Sequence, residues 1–381
     1  MSKIGLITYY GDNFGACMQA YALQTVLTRI SGDCEIIACP EGVPNVENKH
    51  NKIRFIKNAL KALFTGKFVS RYRTRKFVLK ANKNINIRCT DFRGKYLKLA
   101  KNGFQSWEDF YKGTLDYNTY VCGSDQIWNP TFYGQCHPIY YLDFVPDNKV
   151  KVAYAPSVGI KNIDDKYKEQ LRKYLSSFNA ISVRETNAID LLQPYYDKEI
   201  QWVLDPTLLL DEKDYNKLSF DVDIPKKPYI FCYLFGQKKN TAKIKKIISK
   251  RLGLPVVSIP FVDREILSSD IKLDDVGPVD FINLIKNATC VITDSFHATA
   301  FSINFKVPFV SLLRQDLTDK AEMSSRIYSI LKQMHLEHRL IKDIEDIPKN
   351  ILSINFNESA ELLSGYRKKS IDFLKKGLNN E

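Results

Sequence analysis

The segment CVITDSFHATAFSINFKVPFVSL, residues 290–312, contains the pattern that decides the fold. Its first four residues are an apolar run typical of a short buried strand, and its last six residues form a second such run. Between the two runs, a polar loop from Asp294 to His297 leads into a short helical stretch. A strand, a helix and a second strand in this order predict two neighbouring parallel strands joined by a right-handed crossover.

The same pattern recurs along the chain and predicts two α/β domains in tandem. Apolar runs that end in polar loops begin near residues 4, 120, 150, 180 and 201 and, after a polar stretch that contains Pro225 and Pro228, near 229, 255 and 290. Strands of this length that alternate with helices indicate a mostly parallel sheet in each domain. We expect an N-terminal domain over residues 1–205, a C-terminal domain over 206–357, and a final helix, 358–381, that packs back on the first domain.

Length and composition exclude several classes of protein. The chain has 381 residues, of which 44% are hydrophobic and 26% are charged, so it is long enough for two domains and too apolar for a disordered chain. No apolar stretch reaches the length of a membrane span or of a signal-peptide core. The eight cysteines form no CxxC pair and the five histidines are scattered, which predicts a cytoplasmic protein with reduced thiols, no metal site and no cofactor.

One segment carries the whole positive excess of the chain. Residues 49–104 contain 17 Lys or Arg and one acidic residue, a net charge of +16, so the remainder of the chain is slightly acidic, at −3. We expect this segment to be a basic helical insertion in the first domain. Apolar residues recur among its cations at the spacing of helices that lie on anionic membranes: Ile53, Ile56, Leu60, Leu63 and Phe64.

Three interpretations of this basic segment remain open. It forms a surface that docks on an anionic membrane or on lipid phosphates, or it is a charged excursion that covers the domain. Nucleic acid is the least favoured partner, because no recognised nucleic-acid module accompanies the charge.

His297 and Ser295 lie where a ligand is expected. In parallel α/β sheets, ligands bind outside the carboxyl ends of the strands, where helix N-termini present backbone N–H groups. Ser295 or Asp294 is suited to cap the helix that begins beside His297, and a helix N-terminus disfavours the imidazolium. His297 is therefore either a neutral proton acceptor in a site or a buried histidine bonded to the backbone.

Two arginines are candidates for binding an anion. Arg184 follows an apolar run at a strand exit, and Arg326 begins a helix after the polar segment 314–322. A guanidinium binds phosphate or carboxylate through two parallel hydrogen bonds. Each arginine also has a structural alternative, since Arg184 can pair with an acid such as Glu185 and Arg326 can complement a helix face.

The loop GSDQIWNP, residues 123–130, offers groups that suit a sugar. Asp125 is suited to orient a hydroxyl, and Trp128 is suited to stack on a sugar ring. Turn structure alone would explain Gly123 and Pro130, but not a carboxylate, an amide and an indole together. The glycines of residues 11–15 lack the GxGxxG spacing, so a nicotinamide dinucleotide is not expected.

These loops resemble the motifs of the polysaccharide pyruvyl transferase family. The similar segments follow one another in the family's order from residue 3 to about 340: GLITYY (5–10), NFGA (13–16), QAYALQ (19–24), GSDQIWN (123–129), VRE (183–185), LDPT (204–207) and TDSFH (293–297). The resemblance implies two Rossmann-like domains that face a cleft, as in GT-B glycosyltransferases. It also implies transfer of pyruvate from phosphoenolpyruvate to two hydroxyls of a sugar, which forms a cyclic ketal.

The chemistry that the resemblance implies assigns a role to each candidate residue. The catalytic residues are expected to be His297, which moves a proton, and Asp125, which binds the acceptor hydroxyls. Many relatives have Arg-Leu-His where this chain has Ser295-Phe296-His297. Either another cation, Arg326 or Arg184, replaces the missing arginine, or this branch of the family handles the donor differently. The remaining assignments are Arg184, Ser295 and Arg326 for the donor, and Asn13, Gln126 and Trp128 for the acceptor.

The expected partners are phosphoenolpyruvate, a glycan acceptor that is held on a lipid, and the inner face of an anionic membrane. Two other functions stay open, a GT-B-type sugar-nucleotide glycosyltransferase and a non-catalytic lipid-phosphate-binding partner of polysaccharide assembly. Thermal stabilisation by a nucleotide sugar would indicate the first. Binding without turnover, unaffected by His297→Ala, would indicate the second.

Overall fold

Two parallel sheets form the frame of the protein. The computed structural model describes residues 3–40, 68–113, 115–219, 224–236, 240–261, 269–314 and 325–379. Within these ranges the chain forms two sheets of six strands each, and neighbouring strands in both sheets run parallel. The predicted fold class is confirmed. The apolar pattern from Ile53 to Phe64 lies outside the described residues.

The first sheet has the strand order β2-β1-β3-β4-β5-β6. Its strands are β1 (Ile4–Ile7), β2 (Cys34–Ile36), β3 (Thr119–Cys122), β4 (Val150–Ala153), β5 (Ala180–Val183) and β6 (Ile200–Trp202). The associated helices are α1 (Phe14–Ser31), α2 (Phe68–Tyr96), α3 (Trp107–Lys112), α4 (Pro130–Tyr133), α5 (Asp165–Leu175) and α6 (Asn187–Leu192). All residues of β1 and β3 are buried, as expected for parallel strands that are covered on both faces.

The second sheet has the order β12-β11-β10-β7-β8-β9, which is the Rossmann order when it is counted from β7. Its strands are β7 (Ile230–Tyr233), β8 (Val256–Ser258), β9 (Ile271–Lys272), β10 (Cys290–Thr293), β11 (Phe309–Leu312) and β12 (Leu340–Ile341). The remaining helices are α7 (Glu212–Tyr215), α8 (Thr241–Leu252), α9 (Pro278–Lys286), α10 (Phe296–Asn304), α11 (Ser325–Gln333) and α12 (Asn357–Asn379). The predicted parallel pairing of β10 with β11 is confirmed.

The strand order of each sheet reverses at one point, and these two points face each other. Ligands of open α/β sheets bind beyond the carboxyl ends of the strands at such a reversal. The reversal lies between β1 and β3 in the first sheet and between β7 and β10 in the second. The first turn of α1 contacts the first turn of α10 so closely that a Cβ on Gly15 would lie 2.1 Å from Nδ1 of His297. The loops after β1, β3, β7 and β10 therefore converge on one cleft.

Helix α2, from the basic segment, bridges the two halves of the molecule. Its inner face packs into the core through Ile85, Cys89 and Phe92. Its Arg88 forms two hydrogen bonds, of 2.8 and 2.9 Å, with the carboxylate of Asp275 in the second half. The basic insertion thus contributes both to the core and to the contact between the halves.

The C-terminal helix α12 lies against the first sheet. The hydroxyl of Ser370 accepts a hydrogen bond of 3.0 Å from the backbone N–H of Leu204, and a Cβ on Gly377 would lie 3.3 Å from Cβ of Ala180.

Within the described part of the chain, no helix is long and apolar enough to cross a membrane.

Candidate functional site

The turn after β3 places Asp125 at the reversal of the first sheet. Gly123 has a φ of +137°, and a Cβ at this position would lie 1.9 Å from the carbonyl oxygen of Tyr154, so only glycine fits. The backbone N–H of Ser124 donates to Oε1 of Gln19, a residue of α1 that also bonds the loop after β1. Asp125 itself has a φ of 68°, a backbone conformation that residues with side chains rarely adopt. The carboxylate of Asp125 is thus positioned by a turn whose backbone conformation is unfavourable for a residue with a side chain.

Arg184 is buried between two carboxylates. Its Nη1 lies 2.7 Å from Oδ2 of Asp205, and its Nη2 lies 3.1 Å from Oδ1 of Asp125. The guanidinium also stacks on the ring of Phe296, 4.6 Å from the centroid. Glu185 is not its partner, because Oε1 of Glu185 accepts three hydrogen bonds from the loop after β4. Arg184 therefore pairs with acids, which is the structural alternative predicted for it. These ion pairs connect the loops that follow β3, β5 and β6.

His297 lies in the first turn of α10, behind the N-cap residue Ser295. Its Nε2 is 3.7 Å from Oδ2 of Asp205 and has no hydrogen-bond partner among the described residues. Burial lowers the pKa of His297, and the charges of Asp205 and Asp125 oppose this effect without cancelling it. The imidazole is therefore neutral at neutral pH, and the hydrogen-bonding capacity of its buried Nε2 is unused among the described residues.

Arg326, in the first turn of α11, is a buried cation with incomplete pairing. Its side chain is 7% exposed, and its Nη1 approaches Oδ1 of Asp125 only to 3.9 Å. Its Nε has no hydrogen-bond partner among the described residues. Burial, and then repulsion by Arg184, lower the pKa of Arg326 to about 10. A bound anion would supply the charge and the acceptors that this guanidinium lacks.

The two acids of the cluster stay ionised despite their burial. Burial acts to raise the pKa of Asp125, but the opposite effects of Arg184, His297 and Arg326 outweigh it. The pKa of Asp205 is also lowered, since His297 and Arg184 outweigh burial there too. Among the residues that the structure describes, no three His, Cys, Asp or Glu side chains are grouped closely enough to hold a metal ion.

The three residues predicted to bind the acceptor, Asn13, Gln126 and Trp128, have different surroundings in the structure. Trp128 is 1% exposed, and its ring stacks on Tyr141 at 5.0 Å, so the prediction that it stacks on a sugar is wrong. The Oδ1 of Asn13 caps α1 by accepting from the backbone of the first turn. Gln126 is half-buried beside Asp125, and its Oε1 accepts a hydrogen bond from Asn129.

Other residues of the cleft were not identified as site residues from the sequence. Asp205 connects Arg184 with His297, and it lies in the LDPT segment that had already been singled out. Tyr9 follows β1 and is half-buried; burial, and then the charge of Asp125, raise its pKa to about 12. Burial also raises the pKa of Tyr133, another half-buried ring whose pKa responds to Asp125. The positions of Tyr9 and Asp205 just after strand ends were the available signal, whereas Tyr133, the last residue of α4, carried no such signal.

A family model described as polysaccharide pyruvyl transferase matches residues 13–316. No curated protein sequence matches the chain.

Similar solved structures are UDP-GlcNAc 2-epimerases. A putative enzyme of this kind from Listeria monocytogenes has 12% identity, covers 99% of this chain and 91% of its own, and has a TM-score of 0.48. The enzyme from Methanocaldococcus jannaschii, in complex with UDP-GlcNAc and UDP, has 14% identity, 93% coverage of both chains and a TM-score of 0.48. The enzyme from Neisseria meningitidis, bound to UDP-GlcNAc, has 9% identity, 100% coverage of both chains and a TM-score of 0.47.

Proposed function

This chain belongs to the polysaccharide pyruvyl transferase family, and from that premise we propose that it transfers pyruvate from phosphoenolpyruvate to two hydroxyls of a sugar as a cyclic ketal. The proposed acceptor is a surface polysaccharide or its lipid-linked precursor. One observation carries the proposal. The buried, incompletely paired guanidinium of Arg326 and the neutral imidazole of His297 lie around the same carboxylate, Asp125.

Arg326 is the proposed binding group for the phosphate of the donor. Phosphoenolpyruvate carries a phosphate and a carboxylate, and a guanidinium binds either group through parallel hydrogen bonds. The N-terminus of α10, behind Ser295, adds backbone N–H groups that favour an anion. Arg184 acts as a positioning residue, because Asp205 and Asp125 already occupy its guanidinium.

In the first proposed step, one acceptor hydroxyl adds across the enol double bond. The neutral His297 takes the hydroxyl proton through Nε2, and the imidazolium gives that proton to the methylene carbon, which becomes a methyl group. Positive charge develops on C2 of the donor as the double bond is protonated, and the acceptor oxygen bonds to this carbon. His297 ends the step neutral, and Asp205, 3.7 Å from Nε2, stabilises the transient positive charge.

In the second step, phosphate leaves and the ring closes. The C2–O bond to phosphate breaks, the second hydroxyl bonds to C2, and its proton departs with the phosphate as hydrogen phosphate. Arg326 binds the charge that develops on the leaving phosphate. One phosphate is released for each ketal that forms.

Asp125 is proposed to hold the acceptor. Its carboxylate is ionised, so it accepts hydrogen bonds from hydroxyls and aligns them with the donor. The half-buried rings of Tyr9 and Tyr133 beside it replace Trp128 as the surfaces on which a sugar ring stacks. Gln126 is placed to add an amide contact.

Donor specificity is the first experimental test. Phosphoenolpyruvate at one hundred times its dissociation constant should stabilise the folded protein by about 2.7 kcal/mol in a thermal unfolding experiment. His297→Ala should keep this stabilisation, because the imidazole serves proton transfer, and should lower phosphate release by roughly 10²–10⁴. Stabilisation by a nucleotide sugar and not by phosphoenolpyruvate would instead indicate a glycosyltransferase.

A further inference from the structure

The outer face of α2 combines exposed cations with exposed apolar side chains. Leu79 is 57% exposed and Ile87 is 49% exposed, which is unusual for large aliphatic side chains on a helix. Lys76 and Lys83, both exposed, occupy the same face, because the spacing of these four positions is three or four residues. The opposite face of α2 is buried in the core, so this orientation of the helix is fixed.

The apolar and basic surface continues onto the second half of the molecule. Lys80 forms a salt bridge of 2.7 Å with Asp274, which follows the edge strand β9. Arg88 pairs with the neighbouring Asp275 at 2.8 Å. Both residues of β9 are exposed, and they are one apolar and one basic residue, Ile271 and Lys272. Asp274 and Asp275 are thus matched by cations of α2, and the exposed Lys76, Lys83 and Lys272 add positive charge to the surface.

We propose that this surface, formed by Lys76, Leu79, Lys83, Ile87 and β9, docks on an anionic lipid bilayer. Charge complementarity supports this partner, since the segment of residues 49–104 carries a net charge of +16 and the rest of the chain −3. The aliphatic side chains discriminate between partners. Leu79 and Ile87 gain from insertion at the level of the lipid headgroups, whereas a nucleic acid offers them no apolar phase. The inference does not depend on the proposed chemistry of the cleft.

Sedimentation with lipid vesicles tests this surface. The full chain should bind vesicles that contain phosphatidylglycerol but not vesicles of phosphatidylcholine alone, and high salt should release it. Lys76→Gln/Lys83→Gln should lower the partition coefficient about thirty-fold, from about 1 kcal/mol for each cation near anionic lipid. Leu79→Ser/Ile87→Ser should lower it about tenfold.

Lys246→Gln/Lys250→Gln is the matched control for charge. These two lysines are exposed on α8, four residues apart, and their replacement removes the same charge from another surface. This variant should bind vesicles like the unmodified protein. The melting temperatures of all variants should agree, because the replaced side chains are exposed.

Three results would overturn the proposal. The first is equal binding to both kinds of vesicle, or binding to neither. The second is unchanged vesicle binding by both α2 variants, which would assign the binding to a different part of the chain. The third is retention by single-stranded RNA, lost in Lys76→Gln/Lys83→Gln, without any binding to vesicles.

Discussion

Replacing Arg326 with methionine should stabilise the unliganded protein and weaken donor binding at the same time. Burial, and then repulsion by Arg184, lower the pKa of Arg326 from 12.5 to about 10. This shift means that a charged guanidinium at this position destabilises the folded protein by about 3 kcal/mol at neutral pH. This penalty is complete below pH 10 and is relieved only as the pH rises from there towards 12.5. Methionine keeps an unbranched apolar stem without the charge, so the free energy of unfolding should increase by up to about 3 kcal/mol.

The loss in donor binding has a different origin. A hydrogen bond to a charged group contributes about 1.5–3 kcal/mol, so the dissociation constant of phosphoenolpyruvate should rise about ten- to one-hundred-fold in Arg326→Met. Urea unfolding without ligand measures the first effect, and isothermal titration calorimetry measures the second. At the same concentration, added phosphoenolpyruvate should stabilise the variant less than the unmodified protein.

Arg339→Met provides the matched control. Arg339 is 1% exposed, but unlike Arg326 it donates hydrogen bonds to two carbonyl oxygens, those of Phe309 and Ile351. Its replacement leaves two buried carbonyls without these donors and should destabilise the fold by about 1–3 kcal/mol for each. Donor binding should not change. If Arg326→Met also destabilised the fold and kept the donor affinity, Arg326 would be a structural residue and the reasoning would be refuted.

Three further predictions concern the geometry and protonation of the cleft. Gly15→Ala places a methyl group 2.1 Å from Nδ1 of His297 and should lower turnover about 10²-fold, whereas Gly94→Ala, with no atom within 4 Å, should not change turnover. Burial lowers the pKa of His297 from 6.5, so the activity that needs a neutral imidazole should be lost only below pH 6.5 in a profile of kcat/KM against pH. Loss of activity already at pH 7 or above would contradict the role of His297 as a proton acceptor. Arg184→Met leaves two buried carboxylates without their cation and should destabilise the fold by about 3–5 kcal/mol in urea unfolding, so unchanged stability would exclude the buried pairs.

The central strands of both sheets were predictable from the sequence, because each of them is a short apolar run. The strand at residues 290–293 and its neighbour at 309–312 are buried apolar runs, and such runs identify central parallel strands without knowledge of their partners. The edge strand β9 was not predicted. It has two residues, both exposed, so it carries no apolar run.

The loops of the site were predictable, but the pairing of their side chains was not. Strand exits identified Asp125, Arg184 and His297 as residues of one cleft edge. Whether Arg184 binds a ligand or an acid depends on Asp205, which is 21 positions away, and on the approach of the loop after β3. Trp128 shows the same limit, since its burial against Tyr141 depends on tertiary packing that a loop motif does not specify.

Pyruvyl transfer is tested most directly by measuring phosphate release and pyruvate fixation together. Radiolabelled phosphoenolpyruvate is incubated with the protein and a panel of free and lipid-linked glycosides. Pyruvyl transfer should release one phosphate for each pyruvate that is recovered from the glycan as an acid-labile ketal. His297→Ala should bind the donor and form both products roughly 10²–10⁴ times more slowly. Pyruvyl transfer would be contradicted if the protein consumed a nucleotide sugar and released no phosphate from phosphoenolpyruvate with any glycoside of the panel.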